Sequence, residues 1–464
     1  MLVGGERIDT GDWLEVVSPY SGEVVGRVGK AGAAETGRAI DAASAALTAP
    51  LPAHRRAELL TGVASLLAER QDEAARLICA EAGKPLKAAR IEAARAVSTF
   101  TFAAVAARTL TGETVPMDAS AAGEGKVAFT LRVPVGVVGA ISPFNFPLNL
   151  VAHKVAPAIA AGCPVVLKPA SATPLSAFFL AGLVEEAGAP PGWLNVVAGS
   201  AREIGDALVE DERVRVITFT GSGDVGWALA ARAPRKRVKL ELGNATPVIV
   251  DDDADAAAAA AKLAPNAYSF AGQSCISVQR VYVVGDAYDL FVDGLVTATE
   301  ALRVGDPADE STDVGPVIDA QARERILAWI AESGGTVLTG GDTTTDGLIR
   351  PTVIAAPDRQ SQVECDEVFG PVCTVTQVAS LDEAIERANA TRYGLQTAIF
   401  TESVRSALVA ATRLEFGGVL VNEAPTFRAD QMPYGGVKAS GNTKEGPAWA
   451  VRELTEERLV VLPI

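Results

Sequence analysis

Short β-branched segments and longer helical segments alternate through the middle of the chain. Between residues 135 and 242 the pattern predicts five strands, separated by helices or helical turns. In chain order they are strand Val135–Ile141, helix Val151–Ala161, strand Cys163–Leu167, helix Pro174–Ala187, strand Leu194–Val197, helical turn Ile204–Val209, strand Val214–Phe219, helix Val225–Ala231 and strand Val238–Leu242. Because parallel strands need crossover connections, this order predicts a doubly wound parallel sheet with helices on both faces.

A similar alternation begins again in the second half of the chain. Tyr282–Val284 is predicted to be a strand, and Tyr288–Arg303 and Ala320–Ser333 are predicted to be helices. The 464 residues are enough for two such α/β domains. Two β-rich segments, Gly125–Val133 and Leu459–Leu462, lie outside this rhythm, and each is expected to find a partner strand elsewhere.

The formal net charge of −16 and the scattered cysteines argue against several classes of protein. Nucleic-acid-binding proteins normally present a basic face, so nucleic acid is not expected as a partner. The five cysteines include no CxxC pair, so no metal site is expected and the thiols should be free in a reducing compartment. The N-terminal segment has no apolar signal core, and no apolar run is long enough to cross a bilayer. We therefore expect a cytoplasmic protein that does not act at a membrane.

Two segments contain side chains suited to catalysis. Cys275 ends the sequence Phe270-Ala-Gly-Gln-Ser-Cys275, where small neighbours would let a substrate reach the thiol. A lone cysteine is, however, more often simply buried. Asn145 lies in Ile141-Ser-Pro-Phe-Asn-Phe-Pro147, directly after an apolar strand. Its amide is either a donor to an oxyanion or part of an ordinary turn.

Glu241 stands at the end of a predicted strand, where open α/β sheets bind their ligands. Apolar neighbours would raise its pKa and make it a base, although a solvated strand-end carboxylate is the alternative.

The segment Gly221-Ser-Gly-Asp-Val-Gly226 follows a strand and precedes a helix, as dinucleotide-binding loops do. In such loops an acidic residue about 20 positions onward holds the ribose, and Glu241 lies at that spacing from Gly221. The residues alone leave Glu241 as either a base or a ribose ligand.

Eight short segments, in this order along nearly the whole chain, resemble the aldehyde dehydrogenase superfamily. They are Glu81-Ala-Gly-Lys-Pro85, Pro143-Phe-Asn-Phe-Pro147, Leu167-Lys-Pro169, Phe219-Thr-Gly-Ser222, Glu241-Leu-Gly243, Gly272-Gln-Ser-Cys275, Glu367-Val-Phe-Gly-Pro371 and Met432-Pro-Tyr-Gly-Gly436. The resemblance implies two doubly wound parallel-sheet domains with a small β extension for oligomerisation, and hence a homodimer or homotetramer. The implied limits are 1–117 with 135–243 for the dinucleotide-binding domain, 244–452 for the catalytic domain, and 118–134 with 453–464 for the bridging strands.

The resemblance also implies the reaction, which is NAD- or NADP-dependent oxidation of an aldehyde to a carboxylic acid. Cys275 would form a thioester, Asn145 and the Cys275 N–H would stabilise the oxyanion, and Glu241 would be the general base. Lys168 would contact the adenine ribose, Ser222 the pyrophosphate and Glu367 the nicotinamide ribose. The full set of implied cofactor-binding residues is Ile141, Ser142, Pro143, Phe144, Lys168, Ser171, Gly199, Phe219, Gly221, Ser222, Leu242, Glu367 and Phe369.

Ser171 departs from the pattern of many NAD-preferring members, which carry a glutamate three residues after the lysine. A carboxylate would repel the 2′-phosphate of NADP, whereas a serine would not. We therefore expect NADP to be accepted, with Arg202 as a candidate cation for its phosphate. The alternative is that Ser171 only removes one hydrogen bond to NAD.

The expected substrate contacts are Leu150, His153, Ser274 and Arg428. His153 lies eight residues after Asn145 and is either on the same helix face or a helix histidine bonded to its neighbours. The segment around Arg428 resembles the branch that handles lactaldehyde, glyceraldehyde 3-phosphate and phosphonoacetaldehyde. Arg428 would clamp an anionic tail or, alternatively, form an ion pair with Asp430 or another neighbour. We expect a short anionic or hydroxylated aldehyde, with phosphonoacetaldehyde, glyceraldehyde 3-phosphate, lactaldehyde and succinic semialdehyde as candidates.

Three other functions fit parts of the sequence less well. The first is a Rossmann dehydrogenase that uses zinc or a tyrosine–lysine pair. This sequence has no residues at metal-ligand spacing, and its glycine motif lies in mid-chain, so both features argue against that class. An acylating, CoA-dependent aldehyde dehydrogenase is the second alternative, and Glu241 argues against it because acylating relatives commonly lack this base. A non-catalytic scaffold is the third, and the intact set of Cys275, Glu241 and Asn145 argues against it.

Overall fold

The computed structural model describes all 464 residues, and the first part of the chain forms mainly helices. Its elements are β1 (Leu2–Val3), β2 (Glu6–Arg7), β3 (Trp13–Val17), β4 (Val24–Ala31), α1 (Ala33–Ala46), α2 (Ala53–Glu69), α3 (Gln71–Ala82), α4 (Leu86–Thr109), β5 (Thr114–Val115) and β6 (Lys126–Pro134). The sequence analysis derived no helix here. The longest, α4, has 24 residues, and small buried alanines on one face let it pack closely against α2 and α5.

The alternating segment forms the first seven-stranded sheet, as predicted. Its elements are β7 (Val137–Ile141), α5 (Asn149–Ala161), β8 (Val165–Lys168), α6 (Leu175–Glu186), β9 (Leu194–Val196), β10 (Ala198–Gly199), α7 (Ala201–Glu210), β11 (Val214–Thr220), α8 (Gly223–Arg232) and β12 (Arg237–Glu241). The strand order is β12-β11-β7-β8-β9-β1-β2, and β7, β8, β9, β11 and β12 are parallel. Both faces of the central strands are buried, which explains their continuous apolar sequences.

The second half forms another seven-stranded sheet. Its elements, together with the C-terminal segment, are β13 (Pro247–Val250), α9 (Ala256–Tyr268), β14 (Arg280–Val284), α10 (Ala287–Glu300), α11 (Ala320–Ala331), β15 (Thr336–Thr339), β16 (Thr352–Ala355), α12 (Gln362–Cys365), β17 (Val372–Val378), α13 (Leu381–Asn389), β18 (Gln396–Phe400), α14 (Val404–Arg413), β19 (Gly418–Val421), α15 (Pro447–Glu453) and β20 (Thr455–Pro463). The order is β15-β16-β17-β14-β13-β18-β19, with only β15 antiparallel to its neighbour. The predicted α/β class with two parallel sheets is confirmed.

The two β-rich segments outside the rhythm pair with each other. β20 runs antiparallel to β6 over nine residues, from Thr455 opposite Pro134 to Pro463 opposite Lys126. Each segment therefore finds its partner strand elsewhere in the chain, as expected, and the two form one three-stranded sheet with β5. The other edge of β20 is unpaired, and apolar side chains such as Leu459 remain exposed on this sheet.

Several boundaries differ from the sequence analysis, and two of them bear on the architecture. The predicted turn at 204–209 is a ten-residue helix, α7, because the Ser200 hydroxyl accepts a hydrogen bond from Glu203 N and caps it. Val451 and Leu454 pack in the same core as α4 and α5. Val451 falls at the end of the predicted catalytic domain, and Leu454 falls at the start of the predicted bridging strand. The proposed domain limits remain a prediction. Of the helices, none combines the length and apolar character that crossing a bilayer requires.

Candidate active site

A cavity of about 700 Å³ lies beside the carboxyl ends of β7, β11 and β12. Its wall also contains the loop around Cys275 and loops from the last third of the chain. Parallel sheets expose their loops at this edge, so residues distant in sequence converge there. The predicted site residues that line the cavity are Pro143, Phe144, Asn145, Leu150, Gly221, Ser222, Glu241, Leu242, Ser274, Cys275, Glu367, Phe369 and Arg428.

Six further predicted residues lie along or close to the same strand ends without lining the cavity. Ile141 is paired with Phe219 on one side and with Lys168 on the other. Next to them, Ser142 N donates to Lys168 O at 3.1 Å. The Ser171 hydroxyl donates to Gly199 O at 3.1 Å, which joins the loop after β8 to β10. These residues are the predicted binding surface for the cofactor.

An unusual backbone turn places Cys275 in the cavity. Phe270, Ala271 and Gly272 all have positive φ angles, of 50°, 52° and 68°. A side chain at Gly272 would put its Cβ 2.1 Å from Gly370 O, so only glycine fits there. Non-glycine residues in this region cost on the order of 1–3 kcal/mol each and persist only where the surroundings hold them. The turn therefore lowers the stability of the fold, and the surrounding contacts hold the loop in one conformation.

The thiol of Cys275 is held in its protonated form in the free protein. Burial raises the pKa of Cys275 to about 12, and the carboxyl groups of Glu367 and Glu241 act in the same direction. The hydroxyl of Tyr434 lies 3.1 Å from Sγ and opposes the shift only in part. Attack on a substrate therefore requires a base that takes the thiol proton.

Asn145 is fixed opposite this loop. Its Nδ2 donates to Gln273 O at 3.0 Å, two residues before the cysteine. Gln273 is itself anchored, because its side-chain amide donates to Phe270 O and its Oε1 accepts from Ile318 N. An amide nitrogen carries two hydrogens, so one N–H of Asn145 is free to donate to an oxyanion.

Glu241 ends β12 with its carboxyl group inside the wall of the cavity. The residue is 4% exposed, and neither carboxylate oxygen has a hydrogen-bond partner. Burial and the nearby charge of Glu445 raise its pKa well above the ordinary value, while Arg428 and Lys154 oppose that shift. A buried carboxyl group with a raised pKa is a strong candidate for a general base.

A cluster of buried charges surrounds Glu241. Lys154 Nζ donates to Thr220 Oγ1 at 2.6 Å and lies 4.0 Å from Glu445 Oε1. Burial lowers the pKa of Lys154 to about 8. Burial would raise the pKa of Glu445, but Arg428, His153 and Lys154 together hold it below its usual range.

The sequence analysis did not assign roles to Lys154, Glu445 or Tyr434. Tyr434 lies inside the eighth motif, Met432-Pro-Tyr-Gly-Gly436, so that motif carried a signal for it. Lys154 follows His153 on the helix that begins near Asn145, which is a weaker signal. No motif in the sequence marks Glu445, because its partners Arg428 and Lys154 do not lie at a regular helix or strand spacing from it.

Arg428 and His153 are placed differently from each other. Arg428 lines the cavity, and its Nη2 donates to Glu445 Oε2 at 2.7 Å, so its carboxylate partner is Glu445 rather than Asp430. Its Cζ lies 3.9 Å from the centre of the Tyr434 ring. His153 does not line the cavity. Its Nε2 lies 3.1 Å from Asp430 Oδ1, which fits the alternative of a helix histidine bonded to its neighbours.

Features of the wall near β12 suit a nicotinamide ribose. Glu367 Oε1 accepts from Asn244 N at 3.0 Å, and burial raises the Glu367 pKa to about 7. A Cβ at Gly243 would lie 2.3 Å from a Glu367 oxygen, so a larger residue there would displace that carboxyl group. Phe369 meets Phe144 edge to face, with ring centres 5.7 Å apart.

Features at the other end suit the phosphates and the adenine ribose. Ser222 precedes α8, and its hydroxyl makes no cap hydrogen bond, which leaves the first amides of the helix open to an anion. Lys168 is 4% exposed, and its Nζ donates only to Pro169 O. Burial lowers the pKa of Lys168 to about 8. An ammonium with one neighbouring acceptor has donors left for a ligand.

Comparison with known proteins identifies the family. The model of the aldehyde dehydrogenase family matches residues 7–460. The chain belongs to this family. The predicted family and branch are confirmed, and the protein is an oxidoreductase that acts on aldehydes and uses NAD or NADP.

Three similar proteins illustrate the range of this branch. A 3-sulfolactaldehyde dehydrogenase of Priestia aryabhattai is 43% identical, covering 100% of this chain and 97% of that protein. The crystal structure of aldehyde dehydrogenase 21 from Physcomitrella patens, in complex with the reaction product succinate, is 39% identical with a TM-score of 0.96, covering 100% and 98% of the two chains. The structure of glyceraldehyde-3-phosphate dehydrogenase GapN from Methanocaldococcus jannaschii, complexed with NADP, is 38% identical with a TM-score of 0.93, covering 97% and 99%.

The raised pKa of Cys275 predicts a particular pH dependence of alkylation. Because only the thiolate reacts, the rate at which iodoacetamide modifies Cys275 in the free enzyme should rise about tenfold per pH unit between roughly pH 6 and 9. Mass spectrometry of the Cys275 peptide measures this rate, and Cys275→Ala reports the reaction of the other thiols. A plateau below about pH 8 would show that the thiolate is already formed in the free enzyme.

Proposed function

We propose that the enzyme oxidises a short aldehyde with an anionic or hydroxylated tail to its carboxylic acid, through a thioester on Cys275 that water hydrolyses. The proposal rests on the observation that three catalytic groups line the same cavity. Cys275 supplies a nucleophile, Asn145 a free amide N–H, and Glu241 a buried carboxyl group without a hydrogen-bond partner. Each group has one step of the reaction that it can perform.

Attack by Cys275 is the first step. Sγ loses its proton to solvent and bonds to the aldehyde carbon, and the carbonyl oxygen becomes an alkoxide. Asn145 Nδ2 and the Cys275 backbone N–H donate to that oxygen. Where one such preorganised donor has been removed from an enzyme, the activation free energy rose by about 2.7–4 kcal/mol.

Oxidation of the resulting adduct needs the cofactor, and the residues around the cavity fit one. When bound, the nicotinamide ring accepts the hydride of the former aldehyde carbon, which leaves a thioester on Cys275. We propose that Lys168 binds the adenine ribose, Ser222 with the start of α8 binds the pyrophosphate, and Glu367 accepts hydrogen bonds from the nicotinamide ribose. Phe369 would pack beside the nicotinamide.

Hydrolysis completes the cycle. The carboxylate of Glu241 takes a proton from water, and the oxygen attacks the thioester carbon. The tetrahedral adduct collapses, expels the Cys275 thiolate and leaves the carboxylic acid. An acylating enzyme would release the acyl group to CoA and would not need this base, so the buried Glu241 favours hydrolysis.

The substrate proposal rests on the cations of the cavity and on the similar proteins. Four cations line the cavity: Arg325, and Lys84, Arg95 and Arg428, which are each paired with one carboxylate. The similar proteins are named for 3-sulfolactaldehyde, glyceraldehyde 3-phosphate or lactaldehyde, and one structure contains succinate. Lactaldehyde is neutral, and the other three molecules are anions. We therefore propose an aldehyde with an anionic tail as the substrate, and an aldehyde with a neutral hydroxylated tail as the second candidate.

Assembly and location are also proposals. The free edge of β20 and the exposed apolar side chains of its sheet support a homodimer or homotetramer, in which a second subunit covers this surface. All five cysteines are unpaired, as is usual in a reducing compartment such as the cytoplasm.

Wild-type specificity tests the substrate proposal directly. 3-Sulfolactaldehyde and lactaldehyde differ only in the sulfonate group. A charge-assisted contact should make kcat/KM for 3-sulfolactaldehyde about ten- to a hundredfold higher. Steady-state formation of the reduced cofactor measures both values. Equal or inverted values would reject the anionic tail and leave the hydroxylated aldehyde.

Glu241→Gln should separate the two halves of the reaction. Hydrolysis should slow by about a hundredfold or more, within the range of general-base contributions, so that the thioester accumulates. Stopped-flow measurements should then show a burst of reduced cofactor close to one per active site, followed by a slow steady state. The control is Glu210→Gln, an exposed carboxylate at the end of α7. A variant in which hydride transfer alone is lost, with no acyl-enzyme by mass spectrometry, would contradict the assignment.

Ser171→Glu tests cofactor choice. Ser171 is tied to Gly199 beside the proposed ribose site, and Arg202 nearby is almost fully exposed, with only a 3.8 Å contact to Asp206. A carboxylate at 171 should repel the 2′-phosphate and raise the KM for NADP about tenfold or more. The KM for NAD should stay the same or fall. Ser171→Ala separates loss of the hydroxyl from gain of the charge. An unchanged NADP/NAD ratio would mean that residue 171 does not face the ribose.

A further inference from the structure

A tyrosine hydroxyl faces the nucleophile from the C-terminal part of the chain. Tyr434 Oη lies 3.1 Å from Cys275 Sγ, and this sulfur is the one hydrogen-bond partner of the phenol. In the proposed reaction Asn145 and the Cys275 N–H donate to the oxygen of the substrate, not to the sulfur. The negative charge on the sulfur, before attack and after the acyl group leaves, therefore has Tyr434 as its nearest donor.

The phenol is held in place by its backbone and by its ring. Tyr434 N donates to Met432 O at 2.8 Å, and Tyr434 O accepts from Glu445 N at 2.6 Å. The ring is buried in a small apolar cluster with Ile276 and Leu395, against which Cys275 itself packs. Because the hydroxyl is oriented before a substrate arrives, it needs no reorganisation during the reaction.

The direction of this hydrogen bond depends on the charge of the sulfur. While Cys275 is a thiol, either atom can donate, because a hydroxyl and a thiol each carry one proton. A thiolate has no proton and can only accept, so the hydroxyl must then donate. Burial raises the pKa of Tyr434 well above its ordinary value, so the phenol keeps its proton at neutral pH. The contact is therefore strongest when the sulfur is charged.

Arg428 makes this hydroxyl a better donor. Its Cζ lies 3.9 Å from the centre of the Tyr434 ring, and its bond to Glu445 fixes it there. A positive charge at this distance stabilises the negative charge that a phenol oxygen gains when it shares its proton. The guanidinium accordingly opposes the rise in the pKa of Tyr434 that burial causes. This effect on the sulfur does not depend on which aldehyde is bound.

We propose that Tyr434 is a catalytic residue that donates a hydrogen bond to the Cys275 thiolate, both before attack on the aldehyde and when the acyl group leaves. This inference rests on the proposed thioester mechanism. In the first step the thiol proton goes to solvent, the sulfur bonds to the aldehyde carbon, and the phenol keeps its own proton. In the last step the carbon–sulfur bond breaks, its electron pair returns to the sulfur, and Tyr434 donates to the thiolate again.

Tyr434→Phe is the main test, because it removes only the hydroxyl and keeps the ring beside Arg428. The thiolate fraction of the free enzyme should fall about ten- to a hundredfold, as expected for the loss of a hydrogen bond to a charged group. The remaining thiolate is more nucleophilic, so alkylation of Cys275 by iodoacetamide should slow by only about three- to tenfold at any pH between roughly 6 and 9. Mass spectrometry of the Cys275 peptide measures this rate.

A second measurement follows the reaction itself. The stopped-flow burst of reduced cofactor should slow in Tyr434→Phe, while the KM for the cofactor stays unchanged. The aldehyde is 3-sulfolactaldehyde or lactaldehyde, whichever the wild type oxidises faster. Tyr282→Phe is the matched control, because it removes a buried tyrosine hydroxyl that contacts Glu364 and does not line the cavity. Its alkylation and burst rates should equal those of the wild type.

Three results would overturn the inference. Unchanged rates in Tyr434→Phe would mean that the hydroxyl gives the sulfur no support. Faster alkylation would mean that the hydroxyl accepts from the thiol and so holds it protonated. Equal losses in Tyr434→Phe and Tyr282→Phe would mean that both variants only loosen the fold. A wild-type enzyme that forms no acyl-enzyme would instead reject the thioester mechanism, whereas alkylation of the free enzyme needs no turnover, so the two failures are distinguishable.

Discussion

The burial of Glu241 without a hydrogen-bond partner is the constraint on which the active site depends. A carboxyl group at the end of β12, removed from water, can ionise only when cations stand near it. Arg428 and Lys154 provide that charge, and Glu445 balances it. Because these groups are buried together, the pKa of each one is set by the others, and none can be replaced alone without changing the base.

The same constraint explains the rigidity of the surroundings. The cluster occupies the gap between the first sheet and the loops of the second half, where a shift of the backbone would expose unpaired charges. The left-handed turn at 270–272 meets the chain at Gly370 with no room for a side chain. The nucleophile and the base are therefore held by separate elements that are each fixed by close backbone contact.

The sequence predicted the sheets well and the long-range contacts poorly. Fully buried parallel strands are continuous apolar runs, so their positions can be found without a structure. The eight motifs placed Cys275, Glu241 and Asn145, which the fold brings to one cavity. The pairing of β6 with β20 could not be derived, since strand partners leave no mark in a single sequence. For the same reason the ion pair between Arg95 and Asp430, separated by 335 residues, could only be seen in three dimensions.

The path of residues 434–445 ties catalysis to the docking of this segment. Ser440 and Asn442 make backbone and side-chain hydrogen bonds to the end of β12, and Tyr434 and Glu445 reach the nucleophile and the base from the same segment. A chain in which this segment has not docked would have its thiol and its carboxyl group in place, but without the hydroxyl and the counter-charges that prepare them. Local undocking of residues 434–445 would therefore stop the chemistry while both sheets stay folded.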